Sequence, residues 1–307
     1  MNIGWLQDFL TVAETGNFTR AAESRNASQA AFSRRIMALE AWLGVTLIDR
    51  SVFPTRLTAE GERFRDRAVD ILSQMSEART ELSGEAGPAR DQVRIALPHA
   101  LATGRLAGWS AEWAAAGPIR YAITTGNVHD MVTALVAGGV DLLICFHNPQ
   151  QPVQLSAEQY ERLVIGRERL RPYAAPALIA RAPGAWTGTA RHPIPLLMYS
   201  PGAYLGRMVE QVLEAAPVPL HGAPVLESDM ADVLRAMAVA GLGVAWLPDC
   251  TAEAAEPGAL VALGDERWSL SMSIVAYRDR TMRRAAAQRL WRRLVETSAS
   301  PSGQEPS

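Results

Sequence analysis

Residues 28–37 place hydrogen-bonding side chains on one face of a predicted helix. Ser28 is a suitable N-cap, and Gln29 follows it at the first helical position. Apolar residues at i, i+4, i+7 and i+11 form one stripe, made of Phe32, Ile36, Leu39 and Leu43. At 100° per residue, the small and polar residues point away from that stripe: Ala30, Ser33, Arg34 and Met37.

This outward face combines small side chains with hydrogen-bonding groups that can contact the edges of DNA bases. A helix enters the major groove of B-DNA only if its outer side chains leave room, and Ala30 meets that need. Gln29 can pair bidentately with adenine, and Arg34 with guanine or a phosphate. Ser28 and Ser33 reach phosphates or base edges, and the helix N-terminus attracts phosphate.

Three further arginines flank this face. Arg35 lies beside the apolar stripe, so we expect it to contact the DNA backbone. Residues 45–61 indicate two short extended pieces around Phe53-Pro54, a wing carrying Arg50 and Arg56. Both wing arginines are expected along a phosphate backbone or the minor groove; the alternative for both is ordinary solvated surface.

Two preceding helices would position this one. The first spans residues 3–15 and ends at Gly16, a favourable C-terminal cap. The second is short, with Asn17 or Thr19 as its cap, and Asn26-Ala27 forms the turn. This order predicts a helix-turn-helix.

A long helix is predicted from Thr58 to about Ser83. Its apolar residues repeat with period 3.5, which favours a partner helix from a second copy. The alternative is packing on the protein's own body. The seam consists of Phe64, Ala68, Ile71, Met75, Ala78 and Leu82. Glycine and proline in residues 83–90 then mark a domain boundary.

Beyond this boundary, strands alternate with helices in two successive blocks. The similarity of "DMVTALVAGGVDLLICF" to "DMADVLRAMAVAGLGVAWL" predicts two α/β lobes. The fold class is therefore an α+β multidomain protein. We expect a DNA-binding domain at 1–60, a linker helix at 61–88, a sensor at 89–297 and a disordered tail at 298–307. Lobe I would cover about 91–162 plus 268–297, and lobe II about 163–267.

Ligands of two-lobed α/β units bind between the lobes, where strands end and helices begin. The residues predicted at such positions are Pro98, His99, Ala100, Thr103, Thr125, Asn127, Phe146, His147, Ser200, Tyr204, Ser228 and Met230. His99 is the best polar candidate, with a structural histidine as the alternative. Asn127, Ser200 and Ser228 could instead be helix caps. Helix N-termini favour an anion, so a small carboxylate is the expected effector.

Composition excludes several other classes. All 30 basic residues are arginine and 32 residues are acidic, so bulk charge does not drive nucleic-acid binding. No signal peptide, membrane-length apolar run or disulfide framework is present, which predicts a cytoplasmic protein. No metal or cofactor motif and no clustered acid, base or nucleophile occur. An α/β enzyme with a dimerising N-terminal region is therefore only a remote alternative.

The N-terminal pattern "FLTVAETGNFTRAAESRNASQAAFSRRIMALEAWLGVTLIDR" resembles the LysR-type transcriptional regulators. The shared cues include Ser33-Arg34, Ala-Leu-Glu at 38–40, Leu43-Gly44 and the Leu-Thr-x-x-Gly that opens the long helix. They cover about 60 residues, and the later order of elements agrees over nearly the whole chain. The family usually has proline at position 30, where this chain has Ala30.

The resemblance implies a winged helix-turn-helix, a dimerising linker helix and a sensor domain similar to periplasmic binding proteins. It further implies a homodimer or homotetramer on promoter DNA that responds to an effector. Within the family, "YSPGAYLGRM" and "GVAWLPDC" are most similar to the hypochlorite-responsive branch. An alternative to a reversible ligand is therefore oxidation of a methionine, with Met230 predicted at the cleft. Cys145 and Cys250 are weaker redox candidates.

Overall fold

The computed structural model describes residues 2–52, 55–82, 92–115, 117–153, 155–181 and 186–299. Three helices open the chain: α1 (Ile3–Thr15), α2 (Phe18–Ser24) and α3 (Gln29–Leu43). Gly16 ends α1 in the left-handed region at φ 59°, and its N–H donates to the Val12 carbonyl. The predicted bounds of α1 and the predicted start of α3 are confirmed.

Side-chain caps fix the helix-turn-helix. The Asn17 side chain accepts hydrogen bonds from the N–H groups of Thr19 and Arg20, so Asn17 is the cap of α2. Ser28 caps α3 by accepting from the Ala31 N–H at 3.3 Å. Asn26 takes the left-handed conformation at φ 49°, which reverses the chain between the two helices.

A two-stranded wing follows, formed by antiparallel β1 (Ile48–Asp49) and β2 (Arg56–Leu57). Phe53-Pro54 lies outside the described residues. The long helix α4 (Ala59–Leu82) then begins against the wing. A Cβ on Gly61 would lie 2.0 Å from the Leu47 carbonyl oxygen, so this contact requires glycine.

The first half of the predicted seam packs within the chain. Ala68 is fully buried in the core of α1–α3, and the Phe64 ring lies 5.3 Å from that of Phe9. Ile71 is half-buried against the same core, whereas Met75 is 44% exposed. The side chains of Ala78 and Leu82 lie outside the described part. Phe64 and Ala68 therefore cover α1–α3 within the chain, whereas a contact of the half-buried Ile71 with a second copy stays a prediction.

The C-terminal region alternates strands and helices from residue 92 to residue 299. Its first half comprises β3 (Gln92–Leu97), α5 (His99–Gly104), α6 (Leu106–Ala115), β4 (Arg120–Thr125), α7 (Val128–Val136), β5 (Leu142–His147) and β6 (Tyr160–Ala174). Its second half comprises α8 (Pro176–Arg181), β7 (Ile194–Tyr199), α9 (Tyr204–Glu214), β8 (Gly222–Ser228), α10 (Ala231–Val239), β9 (Val244–Pro248), α11 (Asp249–Glu253), β10 (Val261–Ala262), β11 (Leu270–Asp279) and α12 (Ala285–Ala299).

The helical residues after β3 are divided at Arg105 into α5 and α6. A Cβ on Gly104 would lie 2.7 Å from the Cys250 carbonyl oxygen, so α5 ends in close contact with α11. The Arg105 guanidinium pairs with the buried Glu168 carboxylate at 3.0 Å. These tertiary contacts hold the chain at the break between α5 and α6.

The two α/β blocks share one continuous sheet. Its strand order is β4-β3-β5-β11-β6-β9-β7-β8, with β10 added to β6. Strands pair in parallel within each block, and the long antiparallel strands β6 and β11 join the blocks. Their register shifts between Ile274 and Val275, which leaves one bulge on β6.

Candidate DNA interface and effector cleft

The outward face of α3 consists of Gln29, Ala30, Ser33, Arg34 and Met37. Gln29, Ala30 and Arg34 are exposed, and Met37 is 46% exposed. Arg34 makes no ion pair with any described residue. Apolar Phe32, Ile36 and Leu39 lie fully buried on the opposite side, so the predicted division of this helix is observed.

A buried carboxylate holds α3 against α1 and α2. The Asp8 side chain is fully buried and accepts from Arg25 Nε at 2.9 Å and Arg35 Nη1 at 3.3 Å. Arg35 was expected to contact the DNA backbone. The structure gives it an intramolecular partner, because an unpaired carboxylate inside this core would be costly. Its side chain remains 45% exposed, so the contact with the DNA backbone stays a prediction.

Glu40 fixes the wing to α3. Its Oε1 accepts from the N–H groups of Leu47 and Ile48 at 2.9 and 3.1 Å. Its Oε2 pairs with Arg50 at 3.1 Å, and Arg50 also donates to Ser33 Oγ at 3.4 Å. Arg50 therefore lies along α3, whereas Arg56 is exposed on β2.

Sequence reasoning missed both Asp8 and Glu40 as positioning residues. Glu40 was visible only as part of the Ala-Leu-Glu cue. Asp8 was visible only as a charge inside an apolar helix face.

The residues predicted to line an interlobe cleft lie at or after the carboxyl ends of β3, β4, β5, β7 and β8. On lobe I, His99 Nε2 lies 3.3 Å from Thr125 Oγ1. Thr103 Oγ1 lies 3.1 Å from Asp232 Oδ1 and 3.0 Å from the His99 carbonyl oxygen, so its single proton is shared between an acceptor on α5 and one on α10. Asp232 was not among the predicted residues, although it stands in the first turn of a predicted helix.

The lobe II candidates occupy one corner of this cleft. The Ser200 N–H donates to the Ser228 carbonyl at 3.0 Å, and the Met230 N–H donates to Ser228 Oγ at 3.1 Å. The N-caps of α9 and α10 are Ala203 and Met230, so neither serine caps a helix. The alternative role as a cap does hold for Asn127, whose side chain accepts from the Asp130 N–H at 2.9 Å.

Some predicted cleft residues belong to the core. Phe146 is 1% exposed and Ala100 is 4% exposed, and both pack in the main core, with Pro98 half-buried beside them. His147 is 6% exposed, and its Nδ1 has no hydrogen-bond partner among the described residues. Burial, with a contribution from Arg162, lowers the pKa of His147.

Two tyrosines of the second α/β block, the buried Tyr199 and the half-buried Tyr204, have perturbed phenols. Tyr199 is the last residue of β7, and its hydroxyl has no hydrogen-bond partner among the described residues. Burial, together with the nearby Asp232 and Cys250, raises the pKa of Tyr199. Burial also raises the pKa of Tyr204, so both phenols are neutral donors at neutral pH. The position of Tyr199 at a strand end was a usable sequence signal that we missed.

The sulfur-containing residues differ in accessibility. Cys145 is fully buried, and burial raises the pKa of its thiol to about 12. Burial likewise raises the pKa of Cys250, so neither thiol is activated. Met230 is half-buried, whereas Met37 and Met75 are 46% and 44% exposed. Within the described ranges, no group of three or more His, Cys, Asp or Glu residues is arranged to hold a metal ion.

A winged helix-turn-helix joined by a long helix to a two-lobed α/β domain defines a class of DNA-binding regulators with a ligand-binding half. Residues 3–62 match the family model for bacterial regulatory helix-turn-helix proteins of the LysR family. Residues 86–299 match the LysR substrate binding domain. The chain belongs to the LysR family of DNA-binding transcriptional regulators.

Several relatives agree along the whole chain. The HTH-type transcriptional regulator YjiE of Escherichia coli K12 is 32% identical over 294 residues, covering 95% of this chain and 93% of its own. DarR of Vibrio fischeri, solved in complex with DNA, has a TM-score of 0.58 at 28% identity, covering 96% of this chain and 98% of that one. Full-length HypT of Salmonella typhimurium, a hypochlorite-specific LysR-type regulator, has a TM-score of 0.56 at 30% identity, covering 98% and 99%. These relatives are regulators, and this chain is likewise a regulator rather than an enzyme.

Proposed function

We propose that this regulator reads promoter DNA with the outward face of α3 and responds to a small polar effector bound in the interlobe cleft. Gln29 and Arg34 would contact bases, with Ser28, Ala30 and Ser33 close to the groove wall. Arg56 would contact a phosphate. Arg35 and Arg50 would act indirectly, because each holds a carboxylate that positions α3 or the wing.

The observation that carries the effector proposal is the polar contact between Thr103 Oγ1 and Asp232 Oδ1, at 3.1 Å. It joins two lobes through polar side chains at the place where strands end, so a molecule able to replace it would change how the lobes meet. The Tyr199 hydroxyl, buried and unpaired among the described residues, offers a further donor or acceptor.

The charges of the cleft refine the expected effector class. Helix N-termini favour a carboxylate, but Asp232 repels a simple anion. Arg235 lies 3.8 Å from Asp232 and supplies a cation. A carboxylate carrying a neighbouring hydroxyl or ammonium group satisfies both signs, since Asp232 accepts from that group. We therefore propose a 2-hydroxy or 2-amino carboxylate.

Thermal-shift titrations with matched carboxylates test this class. For chain lengths from three to six carbons, each plain carboxylate is compared with its 2-hydroxy and 2-amino analogues. We expect larger stabilisation by a substituted member, and we expect Asp232→Asn to remove the preference for the ammonium group. Glu210→Gln, an exposed change on α9, is the matched control. Equal responses to all three members, or an unchanged preference in Asp232→Asn, would refute the assignment.

We further propose a homodimer or homotetramer assembled through the C-terminal half of α4. Met75 is exposed there and continues the period of the seam. No helix among the described residues is long and apolar enough to cross a membrane. Because a promoter-binding protein must reach chromosomal DNA, we propose that it acts in the cytoplasm.

A further inference from the structure

The outward face of α3 carries an unexplained apolar side chain. Met37 is 46% exposed and does not join the core that buries Phe32, Ile36 and Leu39. It follows Ala30 by seven residues and Arg34 by three, so all three share the centre of this face. An exposed methionine among polar groups loses favourable burial unless another surface covers it.

The position of Met37 restricts what that surface is. A rise of about 1.5 Å per residue places Met37 about 12 Å beyond Gln29 along the helix axis. With a base-pair rise of about 3.4 Å, this distance corresponds to three or four base pairs. A helix that enters the groove at Gln29 therefore keeps Met37 above the same half-site.

The chemistry of Met37 selects one feature of the groove. A thioether is a weak acceptor without a charge, so it contributes little to a phosphate contact. It is flexible and polarisable, and it packs well on small apolar groups. The C5-methyl of thymine is the apolar group that the major groove displays.

We propose that Met37, with the Ala30 methyl beside it, reads a thymine methyl in each half-site. This inference rests on the proposed placement of α3 in the major groove. Met37 would then be a specificity-determining residue, and Arg34 on the same face would supply the polar contact.

Selection from a random DNA duplex library provides the test, with the full-length protein as bait. The wild type should enrich a half-site with one invariant thymine. Met37→Ala should lose that preference but keep the others, and Met37→Leu should retain it. In the selected duplex, replacing that thymine by deoxyuridine should weaken wild-type binding about fourfold per methyl group lost. Met37→Ala should bind both duplexes equally.

Val218→Ala is the control, since this apolar side chain of the C-terminal region is comparably exposed at 49%. It should discriminate deoxyuridine as the wild type does. Undiminished wild-type binding to the deoxyuridine duplex, or discrimination that persists in Met37→Ala, would overturn the inference. Enrichment of no sequence by the wild type would overturn the proposed DNA-reading face itself. Thermal melting of each variant verifies that it is folded.

Discussion

At the residue scale, Gln29 and Arg56 are expected to contribute differently to DNA binding. Gln29→Ala removes a bidentate base contact, so specificity for the selected duplex should fall by about 1–3 kcal/mol. Arg56→Ala removes a phosphate contact, so it should weaken all duplexes similarly and reduce the salt slope by about 1. Fluorescence anisotropy on selected and scrambled duplexes, at several salt concentrations, measures both quantities.

Arg35→Ala serves as the comparison. Since Arg35 pairs with the buried Asp8, its removal should lower the melting temperature in the absence of DNA. If Gln29→Ala and Arg56→Ala lose specific and non-specific affinity in equal proportion, the assigned roles are wrong.

His147 should make the stability of the protein depend on pH. Burial lowers its folded-state pKa, so below an unfolded value of about 6.5 the unfolded chain binds a proton that the folded chain resists. The free energy of unfolding should therefore decrease as the pH falls from about 7.5 through that value. His147→Gln should show a smaller decrease in urea titrations at pH 7.5 and 5.5.

The exposed His192 provides the control for this titration. His192→Gln should keep the wild-type dependence on pH. An identical dependence in His147→Gln and the wild type would show that other groups are responsible.

At the element scale, the first half of α4 packs on α1–α3, and its second half is the part proposed to contact another copy. Ile71→Asp places a charge against the chain's own N-terminal core, so it should lower the melting temperature. Met75→Asp changes an exposed position, so it should leave the fold stable and weaken only self-association. Analytical ultracentrifugation and circular dichroism separate the two effects.

Glu62→Gln, an exposed change near the start of α4, is the control and should alter neither quantity strongly. Loss of self-association should also reduce operator binding, because paired half-sites require two copies of the DNA-binding domain. A Met75→Asp protein with unchanged molar mass would contradict assembly through this half of α4.

Elements set by local interactions were predictable, and those set by distant contacts were not. Ser28 and Gly16 cap helices through neighbours a few residues away, so their roles follow from spacing alone. The ion pair of Arg35 with Asp8 was not foreseen, because the two residues are 27 positions apart. The pair of Arg50 with Glu40 was not foreseen for the same reason, because Glu40 and the wing meet only in the folded chain. The break at Arg105 depends on Glu168 and Cys250, which no local pattern shows.

The cleft was partly predictable for a related reason. Strand ends placed His99 and Thr125 together, as the alternating pattern indicates. Asp232 was missed because pairing across the lobes depends on how α5 and α10 face each other. The domain boundaries at residues 60 and 88 remain predictions.

At the scale of the whole molecule, the shared sheet should make the two lobes unfold together. Strands β5 and β9 belong to different lobes but connect through β11 and β6. Their amide protons should therefore lose protection at the same urea concentration in hydrogen exchange. Helices α1–α3 have a separate core, so their amides should follow a different transition.

A core substitution in one lobe sharpens this test. Leu143 is fully buried in β5, and Leu143→Ala should destabilise the domain by about 2–5 kcal/mol. Protection of β9 should fall by the same amount as protection of β5. A loss confined to β5 would mean that the lobes unfold independently.

The single bulge on β6 has a mechanical consequence. It lies between residues 160–164, which pair with 275–279, and residues 166–170, which pair with 270–274. On both sides of the bulge, ladder hydrogen bonds hold β6 and β11 together. This two-stranded ribbon of β6 and β11 therefore resists stretching and shear. At the bulge the ladder is interrupted and locally twisted, which makes torsion the softest deformation. An effector in the cleft would therefore rotate one lobe about the ribbon axis rather than pull the lobes apart. In the proposed assembly through α4, effector binding would then change the angle between the sensor domains of neighbouring copies.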